Sequence, residues 1–156
     1  MLMLKTNVMR LLDQKKIPYT THDYSDTDAL SGTEVASILH QDPLQVFKTL
    51  VAVGASKKYY VFMIPVCKEL QLKKAAQTAG EKKIEMLKAK ELLPLTGYIH
   101  GGCSPIGMKK SFPTFIDQQA LSFPTIIFSG GKIGHQVELS LEVLKQILPF
   151  GVADLT

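Results

Sequence analysis

Residues 46–54, VFKTLVAVG, and residues 59–66, YYVFMIPV, are two apolar segments joined by the polar tetrapeptide ASKK. Aromatic and β-branched residues are enriched in strands, and a short polar connection between two such segments is typical of a β-hairpin. We therefore predict a pair of antiparallel strands here, with helices packed around the sheet that contains them.

Helices are predicted before and after the hairpin in the sequence, from the spacing of apolar residues and from residues that begin or end helices. Thr33 is the expected N-cap of the second helix. Gly80 and Pro94 are the expected ends of the third and fourth helices, and Pro149 with Gly151 stops the last one. The predicted helices lie within the segments 7–16, 31–40, 71–80, 88–97 and 139–151.

Further strands are predicted at residues 19–24, 113–119, 124–131 and 136–140. They do not alternate strictly with long helices, which argues against a doubly wound parallel sheet. We predict an α/β protein of the α+β type, with a mixed and largely antiparallel sheet surrounded by helices. Residues 1–156 are expected to form a single domain.

The composition indicates in which cellular compartment the protein works and whether it associates with membranes. The chain is 46% hydrophobic and 21% charged, and no apolar run approaches the ~20 residues that a membrane helix needs. The first ten residues lack the pattern of a secretory signal. Cys67 and Cys103 are the only cysteines and form no C-x-x-C pair, which suggests free thiols in a reducing compartment. A cytoplasmic protein that does not associate with membranes is expected.

The net charge of +4 comes almost wholly from lysine, because Arg10 is the only arginine. A modest positive charge favours an anionic partner such as nucleic acid. Base reading in duplex DNA relies heavily on arginine, so a sequence-specific DNA reader is not expected.

Two glycine-rich segments stand out, GGCSPIG at 101–107 and SGGKIG at 129–134. Neither has the glycine and lysine order of a P-loop or of a dinucleotide-binding fingerprint. Glycine permits positive φ and close approach of a ligand, but ordinary turns are also rich in glycine. Spacing alone does not distinguish a shared ligand site from a pair of structural turns.

Lys48 is the one charge inside the apolar segment 46–54. If Val46, Lys48 and Leu50 share a strand face, that face holds an ammonium group among aliphatic side chains. An edge strand or a solvent-facing strand would explain the lysine equally well. The alternative is a lysine presented into a cleft, where partial desolvation strengthens its electrostatic effect.

Cys103 offers a second kind of chemistry, as a thiolate nucleophile paired with His100 or His135. A buried and inert cysteine is the commoner case. His100 and Cys103 form an H-x-x-C pair, but the sequence has no second ligand pair of the kind that structural zinc sites use. No metal and no cofactor is expected.

Six segments together resemble one family. VFKTL, LKKAA, KKIEM, TGYIHGGCSPIGMKK, PTFID and FSGGKIGHQVEL follow one another in the order and spacing of the YbaK-like aminoacyl-tRNA deacylases, which are related to the editing insertion of bacterial prolyl-tRNA synthetase. The resemblance runs from about Val8 to Leu155. It implies a mixed, partly closed β-sheet with surrounding helices.

The resemblance also implies a site. By position, Lys48, Gly101 and Ser129 correspond to the catalytic residues of the family. Ser31 and Gln136 depart from the residues that many relatives carry, and Cys103 lies at a variable position of the first glycine loop. The residues expected to bind substrate are Tyr24, Ser31, Thr49, Gly102, Pro105, Gly130, Gly131 and Gln136.

The activity implied is trans-editing, that is, hydrolysis of the ester of mischarged Cys-tRNA(Pro), with Cys-tRNA(Cys) as a further candidate substrate. The family suggests that the thiol of the substrate attacks its own ester. The tRNA 3′ end is the expected partner and prolyl-tRNA synthetase a candidate one, whereas the oligomeric state is open. Three alternatives remain: an Ala-tRNA(Pro) deacylase, a thiol or metal hydrolase built on Cys103, and a non-catalytic RNA- or nucleotide-binding module.

Overall fold

The computed structural model describes residues 5–29 and 31–156. Five α-helices, eight strands and one short 3-10 helix follow one another along this part of the chain. The helices are α1 (Asn7–Gln14), α2 (Gly32–Ile38), α3 (Leu72–Ala79), α4 (Ala89–Thr96) and α5 (Leu141–Leu144). The strands are β1 (Thr20–Asp23), β2 (Phe47–Gly54), β3 (Tyr59–Pro65), β4 (Ile84–Met86), β5 (Thr114–Asp117), β6 (Ile126–Ser129), β7 (His135–Leu139) and β8 (Gly151–Ala153), with the 3-10 helix at Gln118–Ser122.

The strands form two sheets. One has five strands in the order β4-β2-β3-β5-β8, and the other has three in the order β1-β7-β6. The predicted hairpin is confirmed, because β2 and β3 pair antiparallel from Phe47–Pro65 to Val53–Tyr59. β5 and β8 join the larger sheet in parallel, so the sheet is mixed as predicted.

The α+β class is confirmed, but the described strands do not form the partly closed sheet implied by the family resemblance. The two sheets remain separate and touch at one parallel bridge between Val46 and Ile127. The main core fills the space between them, and α1 contributes Val8, Met9 and Leu12 to it. The first half of β2 is paired on one side only, because β4 reaches no further than Ala52.

Two helix boundaries differ from the prediction. Ser31, not Thr33, caps α2, because Ser31 and Glu34 form a reciprocal capping box. Helix α4 continues through Pro94 to Thr96 and ends at Gly97, whose φ is 87°. Proline removes one backbone donor near the end of a short helix, and Gly97 N–H still donates to Leu93 O, so the last turn closes.

The C-terminal helix is much shorter than predicted. Ser140 caps α5, but helical geometry ends at Leu144, and the chain then turns into strand β8. Both β4 and β8 have three residues, too few for the apolar alternation that predicts a strand. Within the described part of the chain, no helix is long and apolar enough to cross a membrane.

Candidate functional site

A cavity of about 350 Å³ opens where the two sheets meet. Its polar lining comes from β2, from the ends of β6 and β7, from the start of α2 and from the first glycine loop. Seven of the eleven residues expected at the site line it: Tyr24, Ser31, Lys48, Thr49, Gly101, Ser129 and Gln136.

Lys48 projects from the half of β2 that lacks a neighbour on one side. It is half-buried, and no carboxylate forms an ion pair with it among the described residues. At Lys48, β2 pairs with β3 on one side and has no partner strand on the other in the described part of the chain, so the lysine lies at a local edge of the sheet, as the edge-strand interpretation expects. The cleft interpretation agrees with the geometry, because Val46 and Leu50 line the same cavity.

Thr49 follows Lys48 into the cavity lining. Its hydroxyl oxygen Oγ1 is buried and has no hydrogen-bond partner within the described structure. Buried polar atoms in native proteins are nearly always paired, and an exception calls for an explanation such as a ligand group that completes the pairing. The Thr49 hydroxyl can both donate and accept, so it suits either type of ligand atom.

The two glycine loops contact each other beside the cavity. Gly101 has a φ of 88°, which a residue with a side chain rarely adopts. A Cβ at Gly102 would lie 3.2 Å from the backbone nitrogen of Ile133, so glycine permits this close approach. Gly102 N–H donates to Ile99 O at 3.0 Å, which closes the turn before it. Gly102 and Pro105 are buried and do not line the cavity.

Hydrogen bonds within the second glycine-rich loop stabilise its turn. Gly131 N–H donates to Ser129 Oγ at 3.1 Å, and Gly130 N–H donates to His135 O at 2.8 Å. The Ser129 hydroxyl therefore already accepts one bond and keeps its proton free to donate into the cavity that it lines. Gly130 and Gly131 build this turn but do not line the cavity.

Tyr24 and Ser31 also line the cavity. Tyr24 is 9% exposed, packs with Ala29 and Val35, and donates its backbone N–H to Gly134 O at 2.8 Å. Ser31 has a structural task as the cap of α2. Seven further side chains form an apolar wall, of which the sequence had placed only Val46 and Leu50 beside Lys48: Val35, Val46, Phe47, Leu50, Val66, Leu92 and Phe128. Gly32, Thr33, His100 and Cys103 complete the lining.

Cys103 and His100 both line the cavity, whereas His135 does not. Cys103 is buried among the core residues, and this burial raises the pKa of its thiol to about 12 despite a hydrogen bond with Thr96. A thiol with such a pKa is protonated at neutral pH and is a poor nucleophile. No three His, Cys, Asp or Glu side chains in residues 5–29 and 31–156 lie close enough together to hold a metal ion.

Hydrogen bonds hold the smaller sheet beneath this site. Glu138 on β7 contacts His22 Nε2 at 2.7 Å across to β1 and accepts a hydrogen bond from the Thr125 hydroxyl. Burial alone would raise the pKa of Glu138, but the hydrogen bonds from Thr125 and His22 outweigh it and lower the pKa.

Gln136 is buried, and its Oε1 accepts a hydrogen bond from Gln41 Nε2 at 2.8 Å. Gln41 was not expected at the site, because it lies 95 positions before Gln136 in the sequence and no local pattern marks it.

The sequence and the fold both match known editing proteins. Residues 27–147 match the family model of the aminoacyl-tRNA editing domain. The chain therefore belongs to the aminoacyl-tRNA editing domain family, whose members hydrolyse mischarged aminoacyl-tRNA, and the prediction of such an enzyme is confirmed.

Within this family the chain is 45% identical to EbsC of Enterococcus faecalis over 153 residues, which is 97% of this chain and 93% of EbsC. EbsC is named as a candidate Cys-tRNA(Pro)/Cys-tRNA(Cys) deacylase.

Two solved structures share the fold. A candidate trans-editing enzyme for prolyl-tRNA synthetase superposes with a TM-score of 0.83 at 23% identity over 99% of both chains. A protein described as hypothetical superposes with a TM-score of 0.85 at 23% identity over 95% of this chain and 97% of its own.

Proposed function

We propose that this protein is a trans-editing deacylase that hydrolyses the ester of Cys-tRNA(Pro), with Cys-tRNA(Cys) as a second substrate, and that residues 1–156 act as one editing domain. The observation that carries the proposal is the cavity itself, in which Lys48, Thr49, Gly101 and Ser129 meet. The similarity to EbsC supports the choice of amino acid and tRNA.

The reaction needs an electron-rich group to be held and negative charge to be stabilised. In the proposed step, the cysteine sulfur attacks the carbonyl carbon of its own ester, and the C–O bond to the ribose breaks. The ribose oxygen takes up the proton that the thiol loses, and water then opens the resulting thiolactone to free cysteine. Proximity of this kind is worth on the order of several kcal/mol of the barrier.

Each polar residue has a role in this scheme. The ammonium group of Lys48 stabilises the thiolate and the developing oxyanion, because unlike charges attract strongly in a partly desolvated cavity. The hydroxyl of Ser129 donates to the carbonyl oxygen. Thr49 Oγ1, which is buried and unpaired in the described structure, gains a partner when substrate enters. Gly101 lets the terminal ribose approach without a clash with a Cβ.

The apolar wall suits a small amino acid but selects weakly between small side chains. Pockets distinguish substrates that differ by one methylene-sized group by only ~1–3 kcal/mol. Chemistry that uses the substrate's own thiol supplies the missing selectivity, because an alanyl or 2-aminobutyryl ester has no sulfur nucleophile.

Hydrolysis of matched esters tests the proposal. Cys-tRNA(Pro), Ala-tRNA(Pro) and 2-aminobutyryl-tRNA(Pro), which replaces the thiol by a methyl group, are incubated with the wild-type protein. We expect the cysteinyl ester to be cleaved at least about 100-fold faster than either other ester. Equal cleavage of the cysteinyl and aminobutyryl esters would overturn the thiol-assisted step, and faster cleavage of alanine would identify an Ala-tRNA(Pro) deacylase. RNA binding without cleavage of any ester would indicate a binding module instead.

We further propose that the protein works in the cytoplasm beside prolyl-tRNA synthetase, which produces the mischarged tRNA. The solved trans-editing enzyme of the same fold supports this partnership. Addition of prolyl-tRNA synthetase to the deacylation assay should lower the KM for Cys-tRNA(Pro). An unchanged KM at saturating synthetase would contradict the partnership but not the activity.

A further inference from the structure

Two glutamine side chains, one of which lines the cavity, form a hydrogen bond with each other. Gln136 on β7 lines the cavity and is 5% exposed, and Gln41 follows helix α2. Gln41 Nε2 donates to Gln136 Oε1 at 2.8 Å. The hydrogen bond therefore ties the segment after α2 to the smaller sheet.

The end of helix α2 fixes the backbone of Gln41. His40 has a φ of 56°, and its N–H donates to Ser37 O. Gln41 N–H donates to Ala36 O at 2.8 Å. These two bonds form a Schellman motif, which gives the residues just beyond a helix a defined direction. Gln41 therefore approaches Gln136 from a rigid position.

This hydrogen bond sets which end of the Gln136 amide faces the cavity. The oxygen Oε1 is occupied by Gln41, whereas Nε2 has no hydrogen-bond partner in the described residues and is not among the buried unpaired atoms. An amide nitrogen only donates hydrogen bonds. Gln136 thus offers a donor to the cavity, as Lys48 does, and no Asp or Glu is found in the described cavity lining.

The pairing of the two amides leaves one buried oxygen atom without a hydrogen-bond partner in the described structure. Gln41 Oε1 is itself buried and lacks a hydrogen-bond partner among the described residues. A buried polar atom left unpaired destabilises a protein, so its presence requires a compensating benefit. The orientation of the neighbouring amide supplies one.

We propose that Gln41 is a positioning residue that holds Gln136 as a hydrogen-bond donor towards an electron-rich substrate atom, the ester carbonyl oxygen or the attacking sulfur. This inference rests on the proposed deacylase function. A reversed amide would instead present an oxygen, which would accept from the α-ammonium group and favour the ground state over the charge that develops during reaction.

A double-mutant cycle tests the inference. Gln41→Met and Gln136→Met keep side-chain length and remove the hydrogen bond, and the deacylation of Cys-tRNA(Pro) is measured for each variant and for both together. We expect each single variant to lower kcat roughly 5- to 10-fold with little change in KM, and the double variant to match Gln136→Met alone. Multiplied effects in the double variant would overturn the inference, as would an unchanged kcat for Gln41→Met.

Gln45→Met is the matched control. Gln45 lies on the same segment, and its Nε2 also bridges to the edge of the smaller sheet, donating to Thr125 O at 3.0 Å, but it does not line the cavity. This variant should lose stability without losing kcat. An equal loss of kcat in Gln45→Met would show that the segment matters only as structure.

A second measurement is independent of activity. In the ¹H–¹⁵N spectrum, the side-chain amide of Gln41 should show a hydrogen-bonded, slowly exchanging proton that Gln136→Met abolishes and Gln45→Met preserves. An amide signal that Gln136→Met leaves unchanged would overturn the inference even in an active enzyme. Failure of the wild type to cleave any ester would instead overturn the proposed function.

Discussion

Strand β2 forms one side of the cavity, here called the strand side, and the two glycine-rich loops form the other, the loop side. The two sides differ in whether their polar groups have partners within the protein. On the strand side, Lys48 has no ion-pair partner and Thr49 Oγ1 no hydrogen-bond partner within the described structure. On the loop side, Ser129 accepts from Gly131 N–H, and the Cys103 thiol has a pKa raised to about 12 by burial. The strand side thus has polar groups without partners in the described part of the protein, whereas on the loop side a hydrogen bond to Ser129 helps to shape the turn.

Loss of Lys48 should have the largest effect. Lys48→Ala removes the positive charge of the strand side, and removal of one such electrostatic contact lowers kcat by about 100- to 1,000-fold. Steady-state deacylation of Cys-tRNA(Pro) measures the change. Lys58→Ala is the matched control, since Lys58 lies exposed at the far end of the same hairpin and should leave kcat unchanged. A higher KM with an unchanged kcat would mean that Lys48 binds a phosphate in the ground state instead.

The loop side should respond through stability. A Cβ at Gly131 would lie 2.8 Å from Val8 Cγ2 and 3.2 Å from Tyr98 Cε1 at a φ of 94°, whereas a Cβ at Gly101 would meet only Ile133 at 3.6 Å. Gly131→Ala should therefore lower the free energy of unfolding by about 3 kcal/mol, from backbone strain and overpacking together. Gly101→Ala should cost only the strain, ~1 kcal/mol. Urea denaturation measures both, and equal losses would refute the difference in packing.

Thr49→Val separates activity from stability on the strand side. Because Thr49 Oγ1 is buried and unpaired in the described structure, its replacement by a methyl group should leave the free energy of unfolding unchanged or raise it. Deacylation should fall about 10-fold if the hydroxyl contacts substrate. Thr114→Val should do the opposite, since Thr114 Oγ1 donates to Phe112 O at 3.0 Å away from the cavity. A stability loss in Thr49→Val with full activity would assign Thr49 a structural role.

A pH-dependent effect is expected in the sheet that supports the loop side. Burial alone would raise the pKa of Glu138 above its ordinary value of 4.5, but the hydrogen bonds from Thr125 and His22 outweigh burial and lower the pKa in the fold. A lowered pKa contributes stability above the unfolded value and loses it as the pH falls through the folded one. Glu138→Gln should therefore cost roughly 1 kcal/mol at pH 7 and progressively less below pH ~4.5. A difference that stays constant with pH would contradict this coupling.

The same contrast explains what the sequence could predict. The hairpin around Lys48 was predictable because two long β-rich segments flank a short polar turn, and the resemblance of Gly101 and Ser129 to family motifs pointed to the loops. Gln41 could not be found this way, since its role depends on a helix-ending turn and on a partner 95 positions away. Strands as short as β4 and β8 exist only through pairing with their neighbours, so no local pattern marks them.

Substitution of Cys103 should have the smallest effect on kcat of the changes considered, in direct contrast to substitution of Lys48. Its thiol is protonated at neutral pH because burial raises its pKa to about 12. Cys103→Ala should therefore change kcat by less than roughly twofold. Cys67 is exposed and provides an internal control, so iodoacetamide should alkylate Cys67 and leave both Cys103 and the activity intact. Inactivation that follows alkylation of Cys103, in a protein that stays folded, would contradict the substrate-thiol mechanism. It would identify Cys103, on the loop side, as the nucleophile.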